Sequence, residues 1–173
     1  RLRKRRRPPT SMTSDCPNKA TGRPRSLLSQ AVAFLSRREY SRRQLRERLI
    51  ERIDGVSQTP DDVDQVLDTL EAKGYLNDKR FAQALCRARA KRYGNARLAL
   101  ELRQAGVAPE IARKALCEQE DEYDRALEAW RKRFRTAPDS DKERARQIRF
   151  LASRGFPYDV IRRVLEAAPR TSE

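Results

Sequence analysis

The chain has 173 residues, with 40 Lys and Arg against 25 Asp and Glu, no histidine and a formal net charge of +15. No apolar run approaches the ~20 residues that span a membrane, so the basic excess points to nucleic acid, an acidic protein surface, or both. Cys16, Cys86 and Cys117 form no C-x-x-C pair, and with no histidine a zinc site is excluded. The thiols read as small, mostly buried side chains in a reducing compartment, and with no recognisable signal peptide the expected location is cytoplasmic.

Residues 1–25 hold nine basic groups and one acid, Asp15, with Pro8, Pro9, Pro17 and Pro24 and almost nothing apolar. This composition predicts a disordered basic tail. Its run Arg1–Arg7 is suited to touching nucleic acid and reads equally well as a solvated extension. A second short tail is expected at 169–173.

The first repeat is expected over 26–76. Leu28, Ala31, Val32 and Leu35 mark its first helix. Ser41 stands as an N-cap before a second helix carrying Leu45, Leu49 and Ile53, which Gly55-Val56 ends. Thr59-Pro60-Asp61-Asp62 is a helix start: a cap, a proline at the first position, then acids at the positive end of the helix dipole. Val63, Val66, Leu67 and Leu70 face the core. Gly74 is a left-handed stop, with Tyr75 and Leu76 as the apolar contact beyond it.

The second repeat, 77–120, opens at the cap Asn77 with Phe81, Ala84, Leu85 and Ala88 at i, i+3, i+4, i+7. Tyr40, Leu45 and Leu49 return 53 residues later as Tyr93, Leu98 and Leu102. Gly106-Val107 and Pro109 repeat the stop and start. The third repeat, 121–168, places Tyr123, Ala126, Leu127 and Trp130 at the same spacing. Ser140-Asp141-Lys142-Glu143 reads as a capping box, and Ile148 and Leu151 follow inward. From second to third repeat the offset is 49: Leu102 to Leu151, Gly106 to Gly155, Ala112 to Ile161, Leu116 to Leu165. A period near 50 with three helices per unit and no alternating strand pattern predicts an all-α protein of three tandem three-helix repeats, packed into an elongated, curved array.

Catalytic chemistry finds no support. There is no histidine base, no Gly-rich phosphate loop after a strand, and no acid pair in an apolar setting. A Mg²⁺ nuclease would need Asp61, Asp62 and Asp64, or Glu118, Glu120, Asp121 and Glu122, to converge. Helix N-terminal charge and solvated linker account for them better. No cofactor is expected.

The basic groups crowd the end of each first helix and the second helix. Arg37, Arg38, Arg42, Arg43, Arg46 and Arg48 stand in the first repeat, and Arg87, Arg89, Lys91, Arg92 and Arg97 in the second. Arg131, Lys132, Arg133, Arg135, Arg144, Arg146 and Arg149 stand in the third. Solvated helix faces also collect arginine, but recurrence at one place in three units favours a continuous binding surface. From these the expected contacts are Arg37, Arg38, Arg42, Arg43, Arg46, Arg89, Lys91, Arg92, Arg97, Arg131, Arg133, Arg144, Arg146 and Arg149. Each third helix begins with acids (Asp61 and Asp62, Glu110, Asp159), which disfavours docking that end in a DNA major groove and leaves phosphate contact without base reading.

Three stretches, SRREYSRRQLRERL (Ser36–Leu49), VLDTLEAKGYLNDKRFAQALCRARAKRYG (Val66–Gly94) and RQIRFLASRGFPYDVIRRVL (Arg146–Leu165), resemble the tandem repeats of the bacterial regulatory protein RecX family. The resemblance implies a regulator that binds the RecA recombinase and lodges in the groove of the RecA–DNA filament; the chain itself is expected to be a monomer and not an enzyme. It implies inhibition of strand exchange, ATP hydrolysis and coprotease activity, within DNA repair, recombination and the SOS response. The alternative left open by the charge alone is a stand-alone protein that binds single- and double-stranded DNA through phosphates without sequence preference.

Overall fold

The structure, a computed structural model, describes residues 26–169; the tail with Arg1–Arg7 and residues 170–173 lie outside the described residues. It is an all-α repeat fold. The first trio of helices is α1 (Leu27–Leu35), α2 (Arg42–Ile50) and α3 (Pro60–Ala72). The second is α4 (Asp78–Arg89), α5 (Asn95–Gln104) and α6 (Pro109–Cys117), and the third α7 (Glu122–Arg133), α8 (Asp141–Ala152) and α9 (Tyr158–Glu166). Each helix packs mainly on the other two of its trio. Three separate apolar cores result, one per trio: around Leu45, Leu49 and Leu67; around Phe81, Cys86 and Leu102; and around Trp130, Leu151 and Ile161.

Local chemistry sets the helix ends. The Ser41 hydroxyl accepts from the Gln44 N–H, and Asn77 accepts from the Arg80 N–H. Thr59 and Asp62 form a reciprocal capping box with Pro60 just inside it. Gly74 and Gly106 take φ of +72° and +78°, which a side chain would resist. That conformation lets the Tyr75 N–H reach the Leu70 carbonyl and the Val107 N–H reach the Leu102 carbonyl, closing the last turns of α3 and α5.

Several faces differ from the sequence expectation. In α1, Leu27 and Ala31 are buried, whereas Leu28 and Val32 are 41% and 45% exposed. In α4 the buried small residues are Ala82 and Cys86, and Ala88 faces out. Tyr75 is exposed, and the contact past Gly74 is Leu76 alone. Helix α2 ends at Ile50, well before Gly55, because Asp54 folds the following loop around its carboxylate, accepting from the Val56, Ser57 and Gln58 N–H groups. Cys86 is buried and Cys117 exposed.

The trios are joined by one device used twice. The Arg42 N–H, at the start of α2, donates to the Asp78 carboxylate at the start of α4 at 2.9 Å. The Asn95 N–H, at the start of α5, donates to Glu122 at the start of α7 at 2.6 Å. Beside the first link the Ser41 hydroxyl donates to the Ala105 carbonyl at 2.6 Å. Beside the second, the Gly94 N–H donates to the Arg154 carbonyl at 2.9 Å. An arginine completes each joint. Arg80 reaches back to Glu39 and the Gly74 and Tyr75 carbonyls. Arg125 is only 2% exposed and donates to the Ala90, Tyr93 and Glu120 carbonyls and the Asn95 side chain. A buried guanidinium is tolerated because its donors meet fixed acceptors, two of them at the negative end of α4.

Candidate nucleic-acid interface

The joints bring three surface clefts edge to edge. The first, about 590 Å³, runs between the first and second trios and carries Arg38, Arg89 and Arg97 opposite Glu39, Glu47 and Glu101. The second, about 800 Å³, lies where α4, α7 and α8 end; its charged residues are Lys91, Arg92, Lys132, Arg133 and Arg154. The third, about 570 Å³, lies between α7 and α8 and carries Arg133, Arg135, Lys142, Arg146 and Arg149, with Asp139 and Glu143. Ala88 borders both the first and second clefts, and Arg133 both the second and third.

The expected contact residues fall into three groups. Arg38, Arg89, Arg97, Lys91, Arg92, Arg133, Arg146 and Arg149 line this connected surface. Arg37, Arg131 and Arg144 are exposed but line none of the three clefts. Arg42, Arg43 and Arg46 pair at the surface with the protein's own carboxylates. Arg42 spans Asp68 at 2.7 Å and Glu71 at 2.5 Å, Arg46 grips both oxygens of Asp64, and Arg43 holds Glu47. The Arg46 hydrogen bonds hold the Asp64 carboxyl below the usual carboxylate range.

Arg154 and Lys142 were not singled out by the sequence pattern, nor was Arg125 as the buried pin of a joint. A count by trio would have pointed the right way. Residues 26–76 carry eight basic and nine acidic side chains, 77–120 ten and five, and 121–168 twelve and nine. The excess therefore sits in the second and third trios, where the clefts are cationic.

Arginines stand near the aromatic rings of the clefts, one of them at stacking distance. The Arg154 guanidinium lies 3.7 Å above the Phe150 ring, Arg97 is 5.9 Å from the Tyr93 ring and Arg146 is 5.7 Å from that of Phe134. Burial pushes the Cys86 thiol up, away from nucleophilic chemistry. Among the described residues no group of His, Cys, Asp and Glu could hold a metal ion, and no helix is long and apolar enough to cross a membrane.

Fold and site together define an all-α repeat protein whose trios are pinned end to end beneath a track of clefts rich in cations. Comparison with known proteins narrows this class. The family models described as the RecX second and third three-helix domains match residues 77–116 and 120–165. The regulatory protein RecX of Chromobacterium violaceum is 44% identical over 82% of this chain and 90% of its own length. That of Ralstonia nicotianae is 38% identical over 84% and 89%. The crystal structure of RecX from Lactobacillus salivarius superposes with a TM-score of 0.66 at 21% identity, covering 81% of this chain and 92% of that one. The chain belongs to the RecX family of regulatory proteins.

Proposed function

We propose that this protein binds the RecA recombinase and its nucleoprotein filament and inhibits strand exchange, ATP hydrolysis and coprotease activity without catalysing a reaction. Family membership across most of the chain is the observation that carries the reading. The connected clefts support it physically: a rigidly jointed row of helix trios can lie along a filament groove, meeting DNA phosphates with its cations and the recombinase with the rest of its surface. Inhibition is steric and electrostatic, since an inserted rod opposes the subunit movements that hydrolysis and strand exchange require. It needs no cofactor and acts as a monomer in the cytoplasm. Titrating the protein into RecA's DNA-dependent ATPase tests this. Hydrolysis falls at or below one protein per RecA subunit; unchanged hydrolysis at every ratio refutes the reading.

A further inference from the structure

We propose that the cleft where α4, α7 and α8 end, with Lys91, Arg92, Lys132, Arg133 and Arg154, is the track that holds a nucleic-acid phosphodiester backbone, and that the first trio holds none. The inference deepens the DNA-contact part of the proposed function and rests on it.

The argument begins with which cations are free. In the first trio, Arg42, Arg43, Arg46 and Arg48 engage carboxylates of their own trio, Arg38 and Arg52 lie over the Tyr40 and Phe34 rings, and Arg37 and Lys73 are exposed but line none of the three clefts. In the second cleft, the side chains of Lys91, Arg92 and Arg133 form no hydrogen bond or salt bridge among the described residues, and only the Lys91 charge reaches a carboxylate, that of Glu128. Lys132 holds Glu128 at 2.7 Å, and Arg154 lies flat on Phe150.

Cations near helix C-termini are common because the carbonyl ends there are partly negative. That preference alone does not explain this cleft. Three helix ends supply about half a negative charge each. Glu128 supplies one more at the rim, where its carboxyl is held low by the Lys132 hydrogen bond and by the charges of Lys132 and Lys91. Five cations leave an excess of about two to three positive charges facing solvent. Through Arg133 the track runs on into the third cleft, where Arg135, Lys142 and Arg149 add cations and Arg146 is engaged by Glu143. In the first cleft, by contrast, Arg89 and Arg97 are both engaged by Glu101, and Glu39 and Glu47 line the same surface.

Shape and aromatics indicate the ligand class. The second and third clefts are open, adjoin at Arg133 and together exceed a typical small-molecule site of ~300–1,000 Å³. That form suits a polymer. Phe150 offers no bare face for a base on the side that Arg154 covers at 3.7 Å. Contact is therefore with phosphates, tolerant of sequence and of strandedness.

The test uses the full chain and bare DNA, an oligo-dT strand and a mixed-sequence duplex, with affinity measured by anisotropy across a salt series. Replacing Lys91, Arg92 and Arg133 together by Gln lowers the slope of log affinity against log salt by about 2 on the single strand and nearly 3 on the duplex, at roughly 0.7 and 0.9 per phosphate contact. The exchange Lys91→Arg, Arg92→Lys, Arg133→Lys keeps the original slope, which separates lost charge from lost fold. A first-trio control, Arg37→Gln, Arg48→Gln and Arg52→Gln, leaves the slope unchanged. An unchanged slope in the cleft variant, or an equal fall in the control, overturns the inference. RecA ATPase inhibition is read in parallel. Its absence in the unsubstituted protein refutes the proposed function, whereas intact inhibition with unmoved slopes refutes the cleft assignment alone.

Discussion

Gly94→Ser sets two physical arguments against each other. Gly94 is the N-cap of α5 with φ −76° and ψ 169°, a conformation any residue adopts, and no side chain caps this helix. Capping chemistry alone predicts that serine gains a few tenths of a kcal/mol. The corresponding position of the first trio is already a serine, Ser41, whose hydroxyl caps α2. Packing predicts the opposite sign. A Cβ on Gly94 would overlap the Gly155 carbonyl oxygen and lie 2.5 Å from its carbon and 2.7 Å from the Phe156 nitrogen. These are backbone atoms of the neighbouring trio, so no flexible side chain can yield. Relief requires the second and third trios to part, which strains packing by about 1–3 kcal/mol. Parting also stretches the 2.9 Å bond from the Gly94 N–H to the Arg154 carbonyl, worth about 0.5–1.5 kcal/mol. The expected loss is about 2–4 kcal/mol, read from urea unfolding followed by far-ultraviolet circular dichroism. Stability equal to or above the unsubstituted protein would refute the view that backbone contact at this joint sets the spacing of the trios.

Three further outcomes follow from the same joints and caps. Arg125→Leu leaves the Ala90, Tyr93 and Glu120 carbonyls unpaired; urea unfolding shows a loss of about 3 kcal/mol or more, and Arg125→Lys does not restore it because a point-charge ammonium cannot span the fork. Restoration by lysine would contradict this. Ser41→Ala removes both a cap and the partner of the Ala105 carbonyl, lowering stability by about 1–3 kcal/mol, whereas Ser36→Ala, on an exposed hydroxyl, changes it by less than about 0.5 kcal/mol. Equal effects would show that the joint adds nothing beyond a surface hydroxyl. Asp64 is held below the usual range by Arg46, and Asp62 and Asp54 by backbone N–H groups. Because these pKa values are depressed on folding, their stabilisation is present above about pH 4 and is lost as pH falls further. Asp64→Asn therefore flattens the acid limb of a stability–pH curve, and an unaltered limb counts against the Arg46–Asp64 pair.

What could be read from the chain follows how locally each feature is encoded. Ser41, Thr59, Asn77 and Ser140 act within a turn of themselves and each caps its helix, although Glu143 turns to Arg146 and Gln147 instead of completing the box expected at Ser140. Leu45, Leu49, Leu98, Leu102 and Leu151 are large enough for helical spacing to reveal their buried face. Small residues carry little of that signal: Ala31 falls on the expected stripe and Cys86 is buried as its residue type suggests, but the inward position of Ala82 does not stand out. Charge was the least legible feature. Arg42 and Arg46 match the basic pattern as well as Lys91 does, yet their partners Asp68, Glu71 and Asp64 stand 18–29 residues away on another helix. Arg125 looks like one more surface cation until the fold places carbonyls more than thirty residues upstream around it.

The most direct test compares the protein's affinity for one labelled single strand, bare and coated with RecA, at physiological salt. Tighter binding to the coated strand is the predicted result, since a filament groove offers recombinase and phosphates together. Equal or weaker binding to the coated strand would contradict it and leave a protein that recognises DNA alone.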